Sequence, residues 1–411
     1  MRRLRFSPLA RLRTVLTSDR AAVRQGMAAL LMSSGGDLVA GVTLGSIEGS
    51  LRDLPGLIVL VPAAIGMRGN IFGALGSRLG TLIHTGEFRV SSRLDTAVGQ
   101  NIAGAFLLTL SLSVSLAVLA KVVIAVTAVH GAISIADLLV ISVLGGLLSS
   151  VVVLGITMFV AAKSASRGWD LDNVAAPIVT AAGDIATLPA LFLATYAVGV
   201  SWVTPAVATV CVLLGLAATF VSVRSKAPLL RRIARESLPV LLFAGLVDVV
   251  AGVAIQGRLE TFASLPALLV LIPPFLEDSG ALGSMLSARL ATRLHLGTLD
   301  AQNLRLRQLT DEILLTFMFA VVVFTLVGVS ADIASAVLGM EGPGSARMIG
   351  ISLLAGFFAT CSAVVVAVGS AVASFRLGLD PDNHGVPLVT SSLDLLGAGA
   401  LVLAIVMLGV H

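Results

Sequence analysis

Six carboxylates stand inside stretches that are otherwise apolar. Asp184 interrupts 171–191, LDNVAAPIVTAAGDIATLPAL, and Asp394 interrupts 379–401, LDPDNHGVPLVTSSLDLLGAGAL, in the matching place 210 positions later. Asp37 and Asp248 are 211 positions apart, and Glu277-Asp278 follow the prolines Pro273-Pro274. A central Asp costs roughly 2.5–3.5 kcal/mol on membrane-insertion scales, so four such residues cost on the order of 10–14 kcal/mol. That expense marks positions facing protein or an ion path. Thr180, Thr187 and Thr390 flank the paired acids, and Pro177 and Pro387 each free a backbone carbonyl nearby. Carboxylates, hydroxyls and carbonyls together form an all-oxygen environment. It suits a hard cation such as Mg2+, which gives up its water reluctantly and is held through one or two carboxylates. No His/Cys cluster points to zinc or copper. The competing reading makes each acid a buried hydrogen-bond partner that ties helices together.

The elements that position these acids are membrane spans. Of 411 residues, 57% are hydrophobic and 12% charged. The mean hydropathy is +1.02. Soluble chains carry about 25% charge, so this one lacks the polar surface to coat a water-soluble particle. Forty-one glycines suit close helix approach in a bilayer. The basic residues sit in short connections without aromatic interleaving, which argues against nucleic acid. Cys211 and Cys361 lie inside apolar runs and form neither a disulfide framework nor a metal-ligand pattern. No cleavable signal peptide and no soluble domain are evident, so a regulatory domain is expected on a separate chain.

Runs long enough to cross about 30 Å of hydrocarbon fall at 27–51, 55–83, 97–127, 133–162, 174–200, 203–223, 238–259, 265–293, 311–336, 346–374 and 385–409. An internal repeat organises these eleven spans. Ala40-Gly41-Val42 recurs as Ala251-Gly252-Val253, Pro62 as Pro273, and Arg78, Leu79, Thr81, His84 and Gly86 as Arg289, Leu290, Thr292, His295 and Gly297. Asp172-Asn173 recurs as Asp382-Asn383. The expected division is a basic segment 1–25, a five-span repeat 26–202, a linking span with a basic linker 203–236, and a second five-span repeat 237–411. The linking span brings the second copy into the membrane in the same sense as the first. With the N-terminus in the cytoplasm, 22 of the 27 basic residues fall on inside segments. The fold is therefore an all-α membrane protein of two parallel repeats, related by a pseudo-twofold axis along the membrane normal. The N-terminus is expected in the cytoplasm of a cell membrane and the C-terminus outside. Asp184 lies 12 residues past Asp172 and Asp394 12 past Asp382, which at ~1.5 Å per residue is near the bilayer midplane.

A second constellation is Pro62-Ala-Ala-Ile-Gly66-Met-Arg-Gly69-Asn70, followed by Ser77-Arg78-Leu79 and Thr81. Proline and glycine there suggest a helix broken or kinked beside the permeation path; close packing alone is the alternative. Arg78 and Arg289 read as snorkelling side chains at the inner face, and His84 and His295 as interface residues.

This motif, P-x-x-x-G-x-x-G-N then S-R-L-x-T, resembles the MgtE family of magnesium channels and transporters, in the duplicated form of the solute carriers for magnesium. The fifth-span pattern fits too, through Pro387, Leu388, Val389, Thr390 and Asp394, with Ile178 replacing Leu in the first copy. The resemblance implies five-helix units with a pore on the dimer axis, where a fifth-span aspartate binds hydrated Mg2+; that role falls on Asp184 and Asp394. No catalytic role is implied, and the fused pair is expected to act as a monomer. Three departures stand out. The second copy reads Glu277-Asp278-Ser-Gly280-Ala281 where the first has Gly66 to Asn70, so two acids appear as candidate extra ligands. His384 replaces Val174. Cytoplasmic magnesium-sensing domains are absent.

The favoured function is Mg2+ movement driven by the membrane potential, with Mn2+ and Co2+ as further candidate ions. An exchanger coupling Mg2+ to Na+ or H+ through Asp37, Asp248, Glu277 and Asp278 is the alternative. An intramembrane aspartyl protease is remote, because the expected Gly-x-Gly-Asp signature is missing from Ala181-Ala182-Gly183-Asp184. A membrane scaffold leaves the central carboxylates unexplained.

Overall fold

The computed structural model describes residues 20–129, 131–167, 171–300, 306–377 and 385–410. The side chains of Asp172, Asn173 and Pro177, and residues Asp382, Asn383 and His384, lie outside the described residues. The chain is all-helical: α1 (Arg20–Ser46), α2 (Glu48–Asp53), α3 (Leu57–His84), α4 (Ala97–Val126), α5 (Ile135–Arg167), α6 (Leu171–Thr195), α7 (Val203–Arg224), α8 (Pro228–Gln256), α9 (Leu259–Ser264), α10 (Ala267–His295), α11 (Leu306–Val337), α12 (Ser345–Leu377) and α13 (Val386–Met407). All but α2 and α9 are long and apolar enough to cross a membrane, which makes eleven candidate spans. Helix is the solution a bilayer demands, since it satisfies every backbone group within the segment.

The short helices α2 and α9 follow the first span of each copy. Neither was legible in the apolar pattern, because each is only six residues long and carries polar residues beside the preceding span. The expected break at Pro62 is absent: α3 runs through Pro62, and α10 through Pro273 and Pro274. Tight packing on every side explains this, since residues 57–65 and 267–276 are buried without interruption. The seventh span starts earlier than its apolar run, at Pro228. Its first turn is capped from another helix, where Gln100 Oε1 accepts from Leu229 N (3.0 Å) and Leu230 N (3.2 Å). The ends of α3 and α10 are built alike. Gly86 (φ 74°) and Gly297 (φ 68°) take the left-handed conformation that closes a helix C-terminus.

Packing crosses the repeats. The first span of each copy leaves its own second span and lies on that of the other copy. Thus α1 packs on α10 and α11, while α8 packs on α3 and α4. Each first span also meets its own fifth span, α1 on α6 and α8 on α13. Gly41 and Gly252 make the two crossings. A methyl on Gly41 would overlap the Val270 carbonyl, and one on Gly252 would overlap that of Val59. Both pairs are 211 positions apart, so one contact is made twice. The linking span α7 packs on α4, α5 and α8. Its outer face shows Leu213, Leu216 and Phe220 to the surroundings, as a lipid-facing helix does.

Gly41→Ala or Gly252→Ala is expected to destabilise the fold by roughly 1–3 kcal/mol, the scale of overpacking. Gly49→Ala serves as a control, since a methyl there meets nothing within 4 Å. Thermal unfolding of the purified protein in detergent checks this, and equal melting of all three variants would refute the crossing.

Candidate functional site

The six acids come together where the first, second and fifth spans of both copies meet. Asp37 on α1 lies beside Asp184 on α6, and Asp248 on α8 lies beside Asp394 on α13. Asp184 and Asp394, expected to be two halves of one site, are within electrostatic range of each other. Each also lies beside the first-span acid of its own copy. The pairing follows from the crossed packing, which seats α1 and α8 between the second and fifth spans.

All four pair members are buried, Asp37 and Asp184 with 0% of their surface accessible. Both oxygens of Asp37, both of Asp184 and Oδ1 of Asp248 lack a hydrogen-bond partner among the described residues. The ion pairs found there, Arg52–Glu48, Arg93–Asp95, Arg232–Glu236, Arg289–Glu312 and Arg293–Glu312, all involve other acids. Two carboxylates about 4 Å apart repel by about 4 kcal/mol at an effective dielectric of 20. Such pairs persist where the repulsion is relieved, by a shared proton or by a cation. No group of three or more His, Cys, Asp or Glu among the described residues closes tightly enough to hold a bare metal ion.

The remaining candidates surround the pairs. A methyl on Gly66 would stand 3.1 Å from Asp248 Oδ2 and 3.6 Å from Asp394 Oδ2. Gly69 meets the Thr180 methyl (3.9 Å from an added Cβ), and Gly280 meets that of Thr390 (3.5 Å), so these contacts repeat by symmetry. Thr390 Oγ1 bonds back to the carbonyls of Val386 and Pro387, each at 3.1 Å. Asp278 is buried and accepts from Ser34 Oγ at 2.6 Å. Glu277 is half-buried, whereas the other five acids are buried.

Accessibility also picks out one face of each second span. On α3 it runs through Gly66, Gly69, Asn70, Gly73 and Ala74, and on α10 through Glu277, Ala281, Ser284 and Met285. Both faces start at the acids and run toward the helix ends that carry Arg78 and Arg289. A methyl on Gly73 would meet nothing within 4 Å. In the other direction both helices are fully enclosed. There α2 meets α9, Arg52 donates to the Ala263 carbonyl, and Gly56 N donates to Gln256 Oε1 at 3.1 Å.

Arg78 does not simply snorkel. Its Nε donates to Asn101 Oδ1 at 2.7 Å, and Arg289 lies 3.5 Å from Glu312. His84 and His295 are exposed at the ends of α3 and α10, as expected.

One buried charge escaped the sequence reading. Arg68 is 1% accessible, and its guanidinium donates to Ser149 Oγ (2.9 Å) and Thr109 Oγ1 (3.3 Å), on the α4 and α5 side. The second copy has Ser279 at that position and fills the equivalent space with Phe324, stacked 5.0 Å from Phe275. The signal was present as an Arg inside an apolar motif.

A family model described as divalent cation transporter, MgtE, matches residues 61–194 and 272–404. Solute carrier family 41 member 3 of Rattus norvegicus is 25% identical over 408 residues, covering 92% of this chain and 85% of that protein. Solute carrier family 41 member 2 of Xenopus laevis is 22% identical, covering 94% of this chain and 72% of that protein. No solved structure matches. With the family's domain present twice, once in each repeat, this integral membrane chain belongs to the MgtE family of divalent cation transporters.

Proposed function

We propose that the chain carries Mg2+ across the membrane along a path between its two repeats, with Asp184 and Asp394 holding the hydrated ion. The observation that supports this reading is the pair of buried carboxylate couples, in which both oxygens of Asp37, both of Asp184 and Oδ1 of Asp248 receive no donor among the described residues. Asp37 and Asp248 are the partners within the couples. Because the acids do not converge on a bare ion, they act through the ion's own water shell. That is how Mg2+, which dehydrates reluctantly, is best bound. Thr180 and Thr390 add hydroxyl oxygens beside the fifth-span acids.

The path leaves the acids along the accessible faces of α3 and α10, where Gly66, Gly69 and Asn70 provide width and polarity. Pro62 belongs to the enclosed side of the motif. The end the path reaches is the basic one, which the positive-inside bias assigns to the cytoplasm. The conformation is thus open inward and closed by the α2–α9 contact outward. An inside-negative potential favours entry of a divalent cation by ~4.6 kcal/mol per 100 mV. That suffices for uptake without a coupled ion. Both couples lie within one chain, so a monomer is the transporting unit.

Mg2+ uptake into proteoliposomes under an imposed potential is expected with the Na+ and pH gradients collapsed, with Mn2+ and Co2+ competing. Asp184→Asn and Asp394→Asn should each lower uptake by at least about tenfold, the loss expected from removing a charge in contact with the ion, while melting stays close to that of the parent. Full uptake in the double variant would overturn the assignment. Gly73→Leu tests the path itself. The fold has room for the side chain, yet a hydrophobic constriction there should block flux by dewetting. Undiminished flux would mean that the accessible face of α3 is not the route.

A further inference from the structure

The two carboxylate couples are related by the repeat, but the residue between them is not. Position 277 holds Glu in the second copy, and the equivalent position 66 in the first copy is Gly. Gly66 abuts Asp248 and Asp394 directly, so by symmetry Glu277 stands at the mouth of the Asp37–Asp184 couple. Its reach goes further. Glu277 lies within electrostatic range of the other five, Asp37, Asp184, Asp248, Asp278 and Asp394. It lies deep in α10, and it keeps accessible surface where both couples are buried. It has no hydrogen-bond or ion-pair partner among those identified, whereas its neighbour Asp278 is held by Ser34.

We propose that Glu277 is a single axial ligand shared by both couples, which joins them into one divalent-cation site and sets its affinity. This deepens the reading above and rests on it. One carboxylate suffices because Glu277 stands by the repeat at the Asp37–Asp184 couple and still lies within electrostatic range of Asp248 and Asp394. Two copies would crowd the axis and repel each other, and glycine at position 66 leaves the space that one side chain needs. The couples hold the ion from the sides through its water. Glu277, with part of its surface accessible, meets the ion as it enters from the open end and bridges the couples. Asp278 plays a different part: its bond to Ser34 ties α10 to α1 and holds Glu277 in place.

The symmetry supplies the test. Mn2+ binding to the purified full-length protein, followed by electron paramagnetic resonance with Mg2+ as competitor, is measured for the parent, Glu277→Gln, Glu277→Gly and the exchange Gly66→Glu/Glu277→Gly. The isosteric Glu277→Gln should weaken Mn2+ and Mg2+ binding at least about tenfold, as expected for loss of one nearby charge. Glu277→Gly should do the same. The exchange restores the carboxylate from the opposite helix, at the position that abuts Asp248 and Asp394, and should recover affinity to within about threefold of the parent. Unchanged affinity in Glu277→Gln would overturn the proposal. So would an exchange variant that folds but binds as weakly as Glu277→Gly, because Glu277 would then serve only its own couple. If the exchange does not fold, Glu277→Gln decides. Failure of the broader reading is separate: Asp184→Asn/Asp394→Asn would then bind and transport normally whatever stands at 277.

Discussion

Everything in this molecule is arranged around carboxylates held where water is scarce. An acid buried without a donor is unstable on its own, and two side by side are more so. A shared proton or a visiting cation relieves that cost, and on the proposed reading the cost becomes the source of the attraction for the ion. This constraint explains why the acids occur as couples, why they lie where three spans of each copy meet, and why the oxygens of Asp37 and Asp184 carry no protein hydrogen bond. A donor supplied by the protein would stabilise the empty site and weaken its hold on the ion.

The crossed first spans are the structural answer to that constraint. A five-span unit packed only on itself would keep its acids at the rim of its own bundle. Exchanging α1 and α8 across the axis places each first-span acid against the fifth span of its own copy and the second span of the other. The same exchange binds the halves together. Gly41 on Val270 and Gly252 on Val59 bring backbones into contact, the packing that replaces the hydrophobic effect inside a bilayer. Site and assembly therefore depend on one set of contacts.

Departures from symmetry are concentrated at the second spans. Arg68 and its hydroxyl shell in one copy face Ser279 and Phe324 in the other, and Gly66 faces Glu277. A perfectly symmetric pair would have to place identical charges on both sides of the axis. Fusing the two copies into one chain lifts that requirement, and here the freedom is used for one additional acid beside the carboxylate couples and one buried arginine on the α4 and α5 side.

Much of this was legible in the sequence, for physical reasons. Low charge and long apolar runs leave helices in a membrane as the only solution. Repeat spacing of 210 and 211 fixes the duplication, and the extra span fixes its parallel sense. Position along a helix is arithmetic, so the placing of Asp184 and Asp394 inside their spans could be read directly. The short helices α2 and α9, the unbroken course of α3 through Pro62, and the early start of α8 were not legible. Each is set by packing or by a cap from a distant residue such as Gln100. Above all, the sequence paired residues by their spacing, Asp184 with Asp394 and Asp37 with Asp248. Only the tertiary structure could pair them by contact, Asp37 with Asp184 and Asp248 with Asp394. Which helix faces which across a bilayer is decided by close contacts between small residues, and a one-dimensional pattern records where those residues are without recording what they touch.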